Sequence, residues 1–287
     1  MVLPELDGMR LRDVLRRVMG VSYTAMKSAK WNGGITVDGD VTPVDAFVRA
    51  GQVVAIRFRE NAPAYAVKPY DLPLAIAHED DWLFVIDKPA PLASQSSALH
   101  PDDTLENALY AHLCCPTDFV YRPVNRLDKG TSGLMIVAKD AHIQHRLQAL
   151  LHTPEFIRTY QAVVEGYPDD DCGVIDAPIG KEDAASIRRI VTASGKPSVT
   201  HYRVLKRGKT RTLVELVLET GRTHQIRVHM ASIGCPVVGD FLYGTEIPQL
   251  PGRFALHASG LTLHHPMTGD WLSLTSPLPA SLAALLD

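Results

Sequence analysis

Cysteine is scarce in this chain of 287 residues, and the four present, Cys114, Cys115, Cys172 and Cys235, include no C-x-x-C pair. That spacing supports neither a zinc site nor a disulfide framework, and reduced, mostly buried thiols are expected. Long apolar runs are missing as well. Nothing approaches the roughly 18 residues of a membrane span, and the first helix-like stretch, "MRLRDVLRRVMG", is too charged for a signal peptide. A folded, cytoplasmic protein with no membrane partner is the expectation. The glycine-and-base stretches "GKTRT" and "NGG" do not complete a G-x-x-x-x-G-K-[ST] phosphate loop, and no H-E-x-x-H is present. His224 and His229, five positions apart, would stand roughly 140° around a helix from one another, the wrong geometry for sharing a metal ion. Neither a metal nor another cofactor is expected.

An overall excess of positive charge is also lacking, the formal net charge being -3. The charge is unevenly spread, however: +3 over residues 1–70, -8 over 71–119, +5 over 120–230 and -3 over 231–287. Two basic segments alternate with two acidic ones, a pattern that suits either a polyanionic partner or an ordinary solvated surface. Hydrophobic residues make up 46% of the chain, which at this length buries roughly 75% of the unfolded surface as one large or two modest domains.

The first 60 residues read as a separate unit. An amphipathic helix over about Leu11 to Met19 is followed by "VSYTAMKSAKWNGG", with Ser22 as N-cap and Gly33-Gly34 as stop signal. Two short strands follow: "ITVDGD", running into an Asp-Gly turn, and the alternating "GQVVAIRFR". A loose connector, "ENAPAYAVKPYDLP", leads to a second unit from about Leu72. There "WLFVIDK", "GLMIVAK", "RTYQAVVEG", "RRIVTA", "PSVTHYRVLKR" and "RTLVELVLE" suit strands. Helices are expected at about Thr104 to Cys114, Ala141 to His152, Thr223 to Ile233 and Ala280 to Leu286. Irregular alternation of strands and helices predicts an α+β domain built on a mixed, largely antiparallel sheet with flanking helices.

Within "RPVNRLDKGTSGLMIVAKD" (122–140), Asp128 precedes a Gly-bounded polar turn and an apolar run that reads as a buried strand. A carboxylate mounted at the edge of a rigid element suits chemistry; the same spacing also suits a turn aspartate bonding its own backbone.

"NRLDKGTSGLMIVAKD" resembles the H-R-L-D-x-x-T-S-G signature of the RluA family of pseudouridine synthases. Three further blocks follow in the family's order: "RTYQAVVEG" at 158–166, "GRTHQIRVHMASIGCPVVGDFLYG" at 221–244 and "FALHASGLTLHHPMTG" at 254–269. Together they cover most of residues 72–287, a catalytic domain of the pseudouridine synthase fold. Residues 1–62 resemble the small α/β RNA-binding module named after the S-four ribosomal protein, with Arg12, Arg16, Arg17, Lys27 and Lys30 on its helices; by themselves these cations would equally suit a solvated helical cap.

The resemblance implies an isomerase that detaches uracil from its ribose in RNA, turns the base and rejoins it through carbon 5, with no cofactor. Asp128 would be the reacting carboxylate, attacking the sugar or the base or acting as a base on the sugar, and Arg227 its guanidinium partner. Tyr160 would stack on the extruded base or handle its proton, although a tyrosine in an apolar strand also suits core packing. Arg126, otherwise a salt-bridged surface arginine, would enter the vacated stack when the uridine flips. Arg222, His224 and Gln225 would contact RNA or organise the cleft wall. Ribosomal RNA of the large subunit is the expected substrate, transfer RNA the second, and a monomer the expected state. Two departures stand out: Asn125 replaces the usual histidine, and "DKPAPLASQSS" (87–97) has Asp87 and Pro91 in place of Asn and Gly. The competing reading is a catalytically silent RNA-binding factor of ribosome assembly. A nucleoside glycosidase fits less well, since such enzymes generally need a second acid.

Overall fold

The structure is a computed structural model in which residues 1–58, 66–151, 153–183 and 186–286 are described. The end of the first unit at 62, the start of the connector and the expected helix end at His152 lie outside those residues.

In the N-terminal unit, α1 (Leu11–Asp13) continues as a π turn over Val14–Val18, so the expected single helix widens after one turn. Leu11, Val14 and Leu15 all reach the core there. Ser22 caps α2 (Tyr23–Trp31) by accepting from the Ala25 N–H at 3.1 Å. Strands β1 (Ile35–Val37), β2 (Asp40–Val41) and β3 (Val54–Ile56) form an antiparallel sheet in the order β2-β1-β3. Val2, Leu11, Leu15, Val21, Met26 and Ile35 belong to a core that shares no residue with the rest of the molecule. The unit leans on the second through Phe58, whose ring stacks on His142 with centroids 5.2 Å apart.

The second unit is a nine-stranded sheet. Its elements in chain order are β4 (Ala75–Glu79), β5 (Leu83–Lys88), α3 (Leu105–His112), β6 (Ser132–Ala138), α4 (Ala141–Leu150), β7 (Phe156–Glu165) and β8 (Cys172–Asp176). A small hairpin, β9 (Ile179–Lys181) and β10 (Arg189–Val191), follows. Then come β11 (Val199–Arg207), β12 (Arg211–Leu218), α5 (Gln225–Ser232), β13 (Leu256–His264), β14 (Trp271–Thr275) and α6 (Ala280–Ala283). The order is β4-β5-β6-β13-β7-β12-β11-β8, with β14 on β13. Among the strands of the described residues only β6 and β13 pair in parallel.

β6 explains why "GLMIVAK" is apolar throughout. Met135 and Val137 enter the core on one face of the sheet, while Leu134, Ile136 and Ala138 enter the other, with Ile143 and Leu147 of α4. Alternation of side chains across a strand with both faces covered leaves no polar position. At the strand's start Gly133 has φ 107°, and a Cβ there would lie 2.3 Å from the Ala258 carbonyl oxygen; only glycine lets β6 lie against β13 at this point.

Several elements depart from expectation. β4, β8, β9, β13 and β14 were not foreseen, and α5 begins at Gln225 rather than Thr223 because His224 adopts a left-handed conformation, φ 60°. α3 begins at Leu105, with Thr104 as its cap in a capping box with Asn107. None of the helices among the described residues is long and apolar enough to cross a membrane.

Candidate active site

Asp128 lies on the loop that delivers the chain into β6, and two segments hold that loop. On one side Val124 N–H donates to Ile136 O and Ala138 N–H to Arg122 O, folding the loop back along β6. The Asn125 side chain completes this return by accepting from Ile136 N–H at 2.9 Å. Asn125 is buried. The residue that departs from the family signature therefore serves here as a loop anchor.

On the other side stands "KPAPLAS". The buried Ser94 hydroxyl donates to Leu127 O at 2.6 Å and accepts from Leu127 N–H at 3.2 Å, gripping both backbone groups of the residue before Asp128. Leu92 N–H donates to Lys129 O just beyond it. Lys88, fully buried, donates from Nζ to Leu92 O at 2.8 Å and Pro89 O at 3.1 Å. Burial pushes the Lys88 ammonium down to about 7, with the Asp128 charge opposing that shift and the Arg253 charge adding to it.

Arg227, on α5, is buried and has a partner at every nitrogen. Nη1 donates to Asp128 Oδ2 at 2.9 Å, while Nε and Nη2 form a fork on Asp240 at 2.6 and 2.8 Å. Phe254, Tyr243 and Phe241 surround the guanidinium, the Phe254 ring centroid at 4.2 Å. Burial alone would ease the proton off Arg227, but the hydrogen bonds and charge of Asp240, then Asp128, outweigh it and raise its pKa. Asp240 is itself fully buried and accepts from Leu242 and Tyr243 N–H. A fixed cation, neutralised from behind, thus faces Asp128.

His224 completes the wall. The Tyr243 hydroxyl accepts from Arg189 N–H at 2.8 Å, so its own proton is free to donate to His224 Nδ1 at 2.9 Å. That assignment leaves the imidazole proton on Nε2, 3.9 Å from Asp128 Oδ2. Burial lowers the His224 pKa, Asp128 opposing and Arg227 adding, so the ring is neutral at pH 7. Arg227 and His224 both converge on Oδ2. Among the described residues Asp128 Oδ1 has no hydrogen-bond partner.

The Asp128 side chain is 30% exposed and opens into a cavity of about 430 Å³ that Arg126, Tyr160, Arg222 and His224 also line. This size is in the range of small-ligand sites, roughly 300 to 1,000 Å³. Tyr160 projects from β7 beside Leu216 of β12. Burial raises its phenol pKa, with the Asp128 charge adding and Arg158 opposing, so at neutral pH it presents a flat ring and a protonated hydroxyl, not a phenolate. Arg126 is exposed at the cavity's edge and has no hydrogen-bond or ion-pair partner among the described residues.

The sequence-based set is therefore partly gathered. Asp128, Tyr160, Arg227, Arg126, Arg222, His224 and Gln225 all border this cavity or the small recess beneath it. Gln225 is buried, and its amide is spent within the protein: it accepts from Thr220 and Arg222 and donates to Val199 O and Thr200. It organises the cleft wall. His229 likewise commits both ring nitrogens, to Thr200 and Ala177 O. Arg12, Arg16, Arg17, Lys27 and Lys30 are all exposed on the N-terminal unit. Asp240, Ser94, Lys88 and Tyr243 were not singled out from sequence, although each lies inside a stretch that resembles a family block or was noted as departing from one.

Comparison with known proteins bears on the chain as a whole. The sequence pattern of the RNA pseudouridylate synthase family matches residues 82–232. A Pseudomonas aeruginosa protein named ribosomal large subunit pseudouridine synthase D is 39% identical over 99% of this chain and 92% of its own. A Bacillus subtilis protein named uncharacterized RNA pseudouridine synthase YlyB is 39% identical over 93% of this chain and 89% of its own. Among solved structures, human RNA pseudouridylate synthase domain containing 1 superposes with a TM-score of 0.60 at 26% identity, covering 73% of this chain and 87% of that one.

Proposed function

The chain belongs to the RluA family of RNA pseudouridine synthases, and on that footing we propose that it isomerises chosen uridines of large-subunit ribosomal RNA, with Asp128 as the reacting carboxylate. One observation carries the role of Asp128: one carboxylate oxygen is held by Arg227 while the other has no hydrogen-bond partner among the described residues, on a side chain that opens into the cavity. A carboxylate held in this way is oriented yet still nucleophilic.

The reaction breaks the bond between ribose C1′ and uracil N1, turns the base and forms a bond from C1′ to C5; the C5 proton leaves and N1 ends protonated. Asp128 Oδ1 attacks C1′ or the base, or removes a sugar proton. In each case Arg227 stabilises the carboxylate as it is regenerated, by leaving the adduct or by returning the proton. Tyr160 provides the face on which the freed uracil turns, because a ring contact tolerates rotation whereas a set of directional hydrogen bonds does not. Extrusion costs a few kcal/mol in lost stacking, and Arg126, exposed at the rim, takes the vacated place in the stack. The neutral His224 offers its Nε2 proton to a ribose or phosphate oxygen beside Asp128.

The N-terminal unit, read as an S-four-like module, holds the RNA beyond the target. Tyr23, Lys27, Lys30 and Trp31 lie at i, i+4, i+7 and i+8 along α2, all exposed on one face. Cations interleaved with aromatics are the composition of a single-strand grip. Support for ribosomal RNA is the name of the Pseudomonas relative, whose similarity extends over nearly the whole chain.

The test is release of tritium from ribosomal RNA labelled at uridine C5. Wild type should release it, and Asp128→Asn should lose at least about 1,000-fold in rate while still binding RNA. Wild-type silence with intact binding would favour the assembly-factor reading, and modification confined to transfer RNA would overturn the ribosomal target.

A further inference from the structure

Beside the catalytic cavity lies a second hollow of about 510 Å³ that the reaction just described does not use. The β9–β10 hairpin and the turn that follows it form one wall; the turn Gly221–Thr223 forms the other and is shared with the catalytic cavity. Lys181, Arg189, Lys196 and Arg222 line it, and among the described residues no carboxylate does.

The cations differ in how they are committed. Arg188, next in sequence to Arg189, is paired with Glu182 at 3.4 Å. Arg189 has no side-chain partner among the described residues, and its Nε is buried without an acceptor. A half-buried guanidinium left unpaired carries a desolvation cost that an arriving anion relieves. Arg222 is held by one bond, Nε to Pro197 O at 3.2 Å, with its terminal nitrogens left over. The Lys196 side chain is exposed and has no partner among the described residues.

The hairpin is also fastened to the catalytic wall. Arg189 N–H reaches His224 through the single hydroxyl of Tyr243, so an anion seated on Arg189 lies on a segment in register with the residue beside Asp128.

We propose that this hollow carries the phosphodiester backbone of the RNA strand on one side of the flipped uridine, Arg189 and Lys196 gripping phosphates there and Arg222 standing at the junction with the cavity. The inference rests on the reading of the protein as an enzyme acting on RNA. A guanidinium fork and an ammonium on a groove free of acids fit phosphate oxygens without reading base identity, so the contact adds affinity and register, not sequence choice.

The test uses the full chain with Arg189→Ala and Lys196→Ala together, large-subunit ribosomal RNA transcript as probe, and circular dichroism and melting to verify the fold. Affinity against salt is read in the Asp128→Asn background. Losing two phosphate contacts should make the slope of log affinity against log salt shallower by about 1.4 to 1.8 and weaken binding about tenfold. With Asp128 restored, KM should rise by a similar factor while kcat stays within about twofold. Arg189→Lys with Lys196→Arg should restore the slope. An unchanged slope and KM in a folded double variant would overturn the groove. Tritium release by the wild type reports separately on the enzymatic reading, and the salt slope decides on the groove whether or not turnover is seen.

Discussion

Behind Asp128, Arg227 has an acceptor at each nitrogen, Asp240 accepts from four donors and Ser94 holds Leu127 at both backbone groups. In front of it, Arg126 and Arg189 have no side-chain partner among the described residues, and Arg222 has one bond. The contrast follows from where water is. A buried ion must be compensated by the protein at every oxygen and nitrogen, or the fold bears several kcal/mol of desolvation. An exposed cation such as Arg126 is already hydrated and can wait for a phosphate at little cost, whereas the half-buried Arg189 carries part of that cost until an anion arrives. The interior thus fixes where the carboxylate stands, and the rim decides what meets it.

That difference breaks most visibly at Asp240. Asp240→Asn keeps the shape and leaves Arg227 a buried cation facing only Asp128; stability should fall by about 3 kcal/mol, read from the midpoint of urea unfolding at unchanged slope. Turnover by the folded fraction should drop as well, because Arg227 loses the fork that orients it toward Asp128. A loss under about 0.5 kcal/mol would mean that the interior is not compensated in the way described.

Lys88 sharpens the comparison through pH. Its folded pKa is about 7 against 10.5 as the unperturbed value. Below 7 both folded and unfolded chains hold the proton, and the fold carries the full cost of the buried charge. Between 7 and 10.5 the unfolded chain holds a proton that the folded chain releases, so stability rises with pH across that window and the cost is gone above it. Lys88→Met removes this titration, while the groups common to both proteins cancel. The advantage of the variant over wild type should therefore shrink by up to about 1.4 kcal/mol per pH unit from 7 to 9. A difference that stays flat would show that Lys88 keeps its proton in the fold.

How much of this could be read beforehand follows the same division. β6 was legible because an apolar run ahead of a Gly-bounded turn has few other fates. The Asp128–Arg227 pair was legible only through motif resemblance, since the two residues lie 99 positions apart and no local pattern joins them. β13, the strand between β6 and β7, was missed: "LHASGLTLH" is poor in β-branched residues and owes its conformation to neighbours on both sides. Asp240 and Ser94 were passed over for a related reason. A lone acid beside glycine and a serine among serines read as turn residues until tertiary contact gives them their partners. The start of α5 was misplaced because His224 is left-handed, a conformation that few residues other than glycine adopt and that no local pattern marks here.

The smallest effect belongs at the far rim, on α2. Lys27 and Lys30 are exposed and have no partner among the described residues, so replacing both with alanine removes charge without opening a cavity or orphaning a hydrogen bond. Melting should move little. The salt slope of RNA binding should become shallower by about 1.4, and KM should rise a few-fold at unchanged kcat. The same pair of losses in the groove beside the cavity should weaken binding more, because Arg189 is partly desolvated and held in place whereas the α2 lysines are free to move in water. Equal losses from the two double variants would show that the rim acts as one diffuse field of charge, and that confinement of Arg189 adds nothing to the grip.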